Sequence, residues 1–159
     1  MQPMEKITRR RLPLIFGGLG VASALAQSPK HGTTIHQEVD FTAVPARMYE
    51  ILLDAKQFSA CTKDTAEIQP RAGEPFKLFG GRIEGRNIEL VPNQRLVQAW
   101  RPAYWPAGVY SIVKFELVAR GSATRIILDQ AGFTADKWED LSAGWSEHYW
   151  EPLHKYLKA

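Results

Sequence analysis

The chain has 159 residues, 45% of them hydrophobic and 23% charged, enough for one domain with its own core but not comfortably two. Its net charge of +3 is concentrated at the start: Lys6, Arg9, Arg10 and Arg11 stand against Glu5 alone before residue 27, and beyond it 16 basic residues face 16 acidic ones. A formally neutral body carries no electrostatic case for nucleic acid.

The first 26 residues read as an export signal. In "TRRRLPLIFGGLGVASALAQ" a charged head precedes an apolar stretch from Leu12 to Ala26, closed by Ala24-Leu25-Ala26. That stretch is shorter than the roughly 20 residues a spanning helix needs, so no permanent membrane anchor is expected. Thr8-Arg9-Arg10-Arg11-Leu12 resembles the twin-arginine export signal; a general secretory signal is the alternative. Cleavage is expected after Ala26, placing the mature chain in the periplasm or outside the cell. Cys61 is the only cysteine, so no internal disulfide forms.

Residues 27–33 form a leader, and the domain spans 34–159. "TIHQEVDFTA" alternates as a strand, with Ile35, Gln37, Val39 and Phe41 on one face. Val44, Met48, Ile51 and Leu52 recur at helical spacing, with Pro45 at the start, predicting a helix over Pro45–Leu53. "DAKQFSACTKD" adds a second short helix. Six strand-like runs follow from Ala66 to Phe133, separated by turn signals such as Gly80-Gly81, Pro92-Asn93 and Arg120-Gly121. Their close spacing argues for an antiparallel meander rather than βαβ units.

A helix is predicted from about Lys137 to Leu157. Leu141, Trp145, Tyr149, Pro152 or Leu153, and Tyr156 make one stripe on it. Gly144 permits close approach to a sheet, and Pro152 predicts a kink. Trp150, about 100° beyond Tyr149, is expected to be the more exposed. The order predicts an α+β helix-grip fold: a curved antiparallel sheet of about seven strands, its concavity closed by the long last helix, with one or two short helices after strand 1.

Three segments carry a resemblance. "PFKLFGGRIEGRNIELVPNQRLVQAWR", "GWSEHYWEPLHKYL" and "VPARMYEILLD" resemble the centre, the C-terminal helix and the first helix of the family related to the activator of heat-shock-protein-90 ATPase. The resemblance runs from about Ile35 to the end. It implies the START-like (SRPBCC, Bet v 1-like) superfamily and its helix-grip fold. One departure is visible: Ala60-Cys61-Thr62 stands where that family usually has a tryptophan after the second helix, which alters any pocket wall that ring supplies. The superfamily contains lipid carriers, cyclases, hydrolases and co-chaperone domains, so membership alone leaves function open.

Candidate cavity residues are Phe76, Phe79, Trp100, Tyr110, Phe115, Trp145, His148 and Tyr149; Leu78, Ile112 and Ile126 are core or cavity wall. His148 lies beside the helix stripe, but Glu147 and Glu151 are expected to face solvent, so it gains no orienting carboxylate for acid–base work. His154 lies off that face and His36 points outward, so no metal site is expected. Cys61 lacks a nucleophile motif and reads as a small apolar filler. The glycines of "FGGRIEG" precede no helix and serve turns rather than phosphates. Tyr104 and Trp105 occupy a proline-bounded loop that either gates a cavity or packs on itself.

No catalytic residue and no cofactor is expected. The reading is an exported, non-enzymatic START-like domain that binds a small hydrophobic or amphipathic molecule between sheet and helix. The alternatives are a polyketide-cyclase-like or hydrolase-like enzyme, and a protein-interaction module of the chaperone ATPase-activator kind.

Overall fold

Alternation builds the first strand. Along β1 (Thr34–Phe41), Ile35 and Phe41 are buried, Gln37 and Val39 half-buried, and His36, Glu38 and Asp40 exposed. The computed structural model describes residues 32–159; the segment expected to direct export, with Arg9, Arg10, Arg11 and Ala26, lies outside the described residues, as does most of the leader.

Helix α1 (Pro45–Leu53) starts with proline in its first turn, where a missing N–H costs nothing. It buries Met48, Ile51, Leu52 and Leu53. Val44 departs from expectation: it precedes the helix, its carbonyl accepts from Met48 N at 3.2 Å, and its side chain stays exposed. The Asp54 carboxylate caps α2 (Ala55–Thr62), accepting from Gln57 N at 2.8 Å. Lys63, with φ +61°, ends it in the left-handed conformation.

The remaining strands are β2 (Glu67–Ile68), β3 (Pro75–Leu78), β4 (Ile83–Val91), β5 (Arg95–Pro102), β6 (Ser111–Arg120) and β7 (Ala123–Ala131). They form one curved antiparallel sheet in the order β1-β7-β6-β5-β4-β3-β2. Register slips once, between Asn87 and Glu89 of β4, where a bulge leaves Ile88 exposed. Parity decides the inner face. On β6 Ser111, Val113, Phe115 and Leu117 are buried, so Ile112, of opposite parity, is exposed and is not cavity wall. Ile126 and Leu128 are fully buried on β7.

A 3-10 turn (Ala135–Lys137) leads into α3 (Trp138–Trp145), a π-helical segment (Ser146–Trp150) and α4 (Glu151–Tyr156). The irregularity expected near Pro152 takes the form of that π segment, in which Glu151 N–H donates to the Ser146 carbonyl five residues back. Proline cannot supply the N–H that the His148 carbonyl needs in an α-helix, and a wider turn replaces the regular ladder there. The extra residue in the turn also overturns the expectation for Trp150. Trp150 is as buried as Tyr149, and its indole N–H donates to Gln37 Oε1 at 2.6 Å.

A chain of buried polar groups fastens the helix to the sheet. Trp145 Nε1 donates to Gln130 Oε1 at 2.7 Å, Gln130 Nε2 to Ser111 Oγ at 2.9 Å, and Ser111 Oγ to the Trp100 carbonyl at 2.8 Å. The contacts run from α3 across β7 and β6 to β5. A second fastening joins β1 to the same helix, where Gln37 Nε2 donates to Ser142 Oγ at 3.1 Å.

Candidate functional site

The C-terminal helix does not close flush on the sheet. A cavity of about 390 Å³ remains between its first half and the β4–β5 side of the sheet. Leu141, Gly144, Trp145, His148 and Tyr149 line it from the helix, at steps of three and four residues. Trp100 lines it from β5, Ile83 from β4, and Phe79 from the turn before β4.

Phe79 reaches the cavity through an unusual backbone. Its φ is +53°, followed by +65° at Gly80 and +87° at Gly81. Glycine adopts such angles freely, whereas Phe79 holds its conformation at a cost of order 1–3 kcal/mol. The reversal turns the Phe79 ring onto Tyr149, centroids 5.4 Å apart, and onto Phe58 at 5.5 Å.

Arg82, Ala103, Tyr104, Asp140 and His148 are the exposed residues of the lining, and they form the mouth. Arg82 pairs with Asp64 at 2.6 Å and lies 6.0 Å above the Phe79 ring. His148 also contacts Phe79, with centroids 5.9 Å apart. The loop after β5 completes the rim. Buried Arg101 pairs with Glu84 and donates through Nη2 to the carbonyls of Ala103 and Trp105. That strapping buries Trp105 and leaves Tyr104 72% exposed at the mouth. Of the two loop aromatics, one is packed and the other is the rim.

Five expected cavity residues therefore converge: Phe79, Trp100, Trp145, His148 and Tyr149. Phe76 and Phe115 are buried core; with Tyr149 they border a space of only about 10 Å³, room for at most one water. Tyr110 is a correction. It precedes β6, is 43% exposed, and its ring lies under the Arg101 guanidinium at 5.7 Å, away from the cavity. Gly144 is another. A methyl there would meet only His148 Cδ2, at 3.9 Å, so its lack of a side chain opens the cavity rather than admitting the sheet. Arg82, Ile83, Asp140 and Leu141 were not among the expected residues.

Cys61 lies elsewhere. It borders a separate cavity of about 370 Å³ with Thr62, Lys63, Pro152, Lys155 and Tyr156, sharing no lining residue with the first. Ala60, Cys61 and Thr62 all line this second space rather than the first. Burial pushes the Cys61 thiol up to about 11, which disfavours the nucleophilic thiolate. His36 is exposed on the outer face, and the Asp129 carboxylate 2.6 Å away raises its pKa. His154 stacks on Phe41, centroids 4.5 Å apart.

The Trp100 indole N–H and the Tyr149 hydroxyl lack a hydrogen-bond partner of normal geometry, and both atoms are sealed off from the cavity that their rings border. Burial raises the Tyr149 pKa well above its usual value, and a weak donation from the Trp100 indole N–H toward the phenol oxygen offsets part of that rise. The phenol is therefore neutral at physiological pH.

The profile of the Activator of Hsp90 ATPase homolog 1-like protein family matches residues 42–158. The chain belongs to that family. Its relatives include the Activator of 90 kDa heat shock protein ATPase homolog of Dictyostelium discoideum, 28% identical over 72% of this chain and 30% of that protein. The homolog 2 of Mus musculus is 26% identical over 78% of this chain and 38% of its own length. The chain thus spans about a third of the curated relatives it matches. Among solved structures, an HSP90 activator from Plasmodium falciparum superposes with a TM-score of 0.76 at 20% identity, over 80% of this chain and 97% of the other. That likeness establishes the shared helix-grip fold.

Proposed function

We propose that this family member is an exported, non-enzymatic domain that holds a small apolar or amphipathic molecule between its sheet and C-terminal helix. The observation that carries the reading is the 390 Å³ cavity walled by Phe79, Trp100, Trp145 and Tyr149. Its size lies within the range of small-molecule sites, and its walls are apolar with polar groups at the mouth. Export rests on the twin-arginine-like start and on Ala24-Leu25-Ala26. Among the described residues no helix is long and apolar enough to cross a membrane.

Titration with flat aromatic compounds and fatty acids, followed by tryptophan fluorescence, tests the cavity. Trp100 and Trp145 both line it, so binding is expected to change the emission saturably. Gly144→Leu places a side chain in the free space and is expected to abolish the response while the protein stays folded. N-terminal sequencing of the protein from the exported fraction is expected to begin at Gln27; a cytosolic product retaining Met1 would refute export. The curated relatives are named for a chaperone ATPase, which favours a protein-interaction module as the second reading. A folded protein that answers no apolar compound would favour it.

A further inference from the structure

The second cavity, beside Cys61, shares no wall with the first and differs from it in charge. We propose that it is a separate binding site for a small organic anion with an apolar body, whose charge is met at the rim by the ammonium groups of Lys63 and Lys155. This goes beyond the binding reading above and does not depend on it.

The space itself is large enough. It holds about 370 Å³ between the end of α2 and α4, within the range of small-molecule sites. Cys61 and Thr62 line it from α2, and Pro152 and Tyr156 from α4. Cys61 is buried and the other three are half-buried. Burial keeps the Cys61 thiol in its neutral form, so the apolar part of a ligand meets no charge on that wall.

Charge decides what the rim accepts. Lys63, at the end of α2, and Lys155, on α4, are both exposed and both border the cavity. No side-chain carboxylate is among the described residues that line it. Asp64, next to Lys63 in sequence, is bound to Arg82 at 2.6 Å. Glu50 is bound at 2.9 Å to Arg47, whose guanidinium lies over the Tyr156 ring. The Lys63 charge is felt at the Cys61 thiol, and so inside the cavity as well as at its edge. Two cations without a counter-charge beside an apolar wall favour an anion. An anionic group at the rim also keeps part of its hydration and avoids the full cost of burial. The first cavity offers no such match, because its Arg82 is tied to Asp64 and Asp140 stands at its mouth.

Naphthalene-2-carboxylate and naphthalene-2-carboxamide, alike in shape and different in charge, test this. Binding to the full chain is followed by NMR shifts of the backbone amides of residues 60–63 and 155–158, which separate this cavity from the first. The carboxylate is expected to bind the parent more tightly than the carboxamide. The ratio of the two affinities is expected to fall about threefold in Lys63→Gln or Lys155→Gln and about tenfold in the double variant, the effect of exposed charge pairs. Lys63→Arg and Lys155→Arg keep the charge and should keep the ratio. Both side chains are exposed, so these variants are expected to fold as the parent does. A ratio that glutamine leaves unchanged overturns the proposal. The lysines would then only complement the carbonyl ends of their helices, or the chain-terminal carboxylate at Ala159, which borders the same space. Absence of saturable shifts at those amides with the carboxylate also overturns it, whatever the tryptophan titration of the first cavity gives.

Discussion

Trp145→Ala is expected to destabilise the protein by about 3–5 kcal/mol, toward the upper end, because two losses coincide. The ring is 2% exposed and touches Trp100, Phe115, Tyr149 and Trp150. Its removal enlarges an existing cavity, and the surrounding sheet cannot collapse into the space. Its indole also supplies the donor for Gln130 Oε1, which would be left buried and unpaired at a further cost of about 1–3 kcal/mol. Trp150→Ala falls in the same class, since that ring is equally buried and its N–H partners Gln37. Urea denaturation of both variants is the check. A Trp145→Ala protein within about 1 kcal/mol of the parent would show that the helix is not what grips the sheet.

Gly85→Ala is the second large effect, expected at about 3 kcal/mol or more because overpacking here meets backbone rather than a yielding side chain. A Cβ at Gly85 would stand 2.1 Å from the Ala99 carbonyl oxygen and 2.4 Å from Phe76 Cζ. Ala99 belongs to the paired strand β5, so the clash is relieved only by separating the two strands or displacing the Phe76 ring from the core. Gly144→Ala gives the contrast. It sits in helix α3 with nearly open space around it, and replacing glycine there is expected to add about 0.5–1 kcal/mol. Thermal melts of the two variants should therefore shift in opposite directions; a Gly85→Ala protein that melts with the parent would contradict the close approach.

Alternation and turn residues made the sheet legible, and proline and periodicity placed the first short helix after β1. Three failures have physical causes. Tyr110 and Ile112 were grouped with Phe115 although they differ from it in strand parity, so all three cannot face inward together. Trp150 was placed by an even 100° rotation, which the π segment interrupts. The polar fastening of Trp145 was missed although it leaves a trace: Gln130 shares parity with Ile126 and Leu128, and Gln37 with Ile35, so each is a polar residue in an apolar row. A polar side chain on the buried parity of a strand calls for a partner across the core. The mouth residues Arg82 and Asp140 left no such trace, because only the closure of helix against sheet brings them together.

The sheet order has a consequence for how the chain is made. Strands β2 to β7 each lie beside their neighbour in sequence and can pair as soon as both have been synthesised. β1 cannot: its partner is β7, the last strand, and everything between must be made first. During that interval Ile35, Val39 and Phe41 stand on a strand with no sheet to cover them, the condition in which nascent chains pair wrongly with one another. The other side of β1 carries His36, Glu38 and Asp40, which later contact Asp129 and Arg125 of β7. Until then the like-charged carboxylates of Glu38 and Asp40 act as gatekeepers, repelling the same strand of other nascent copies.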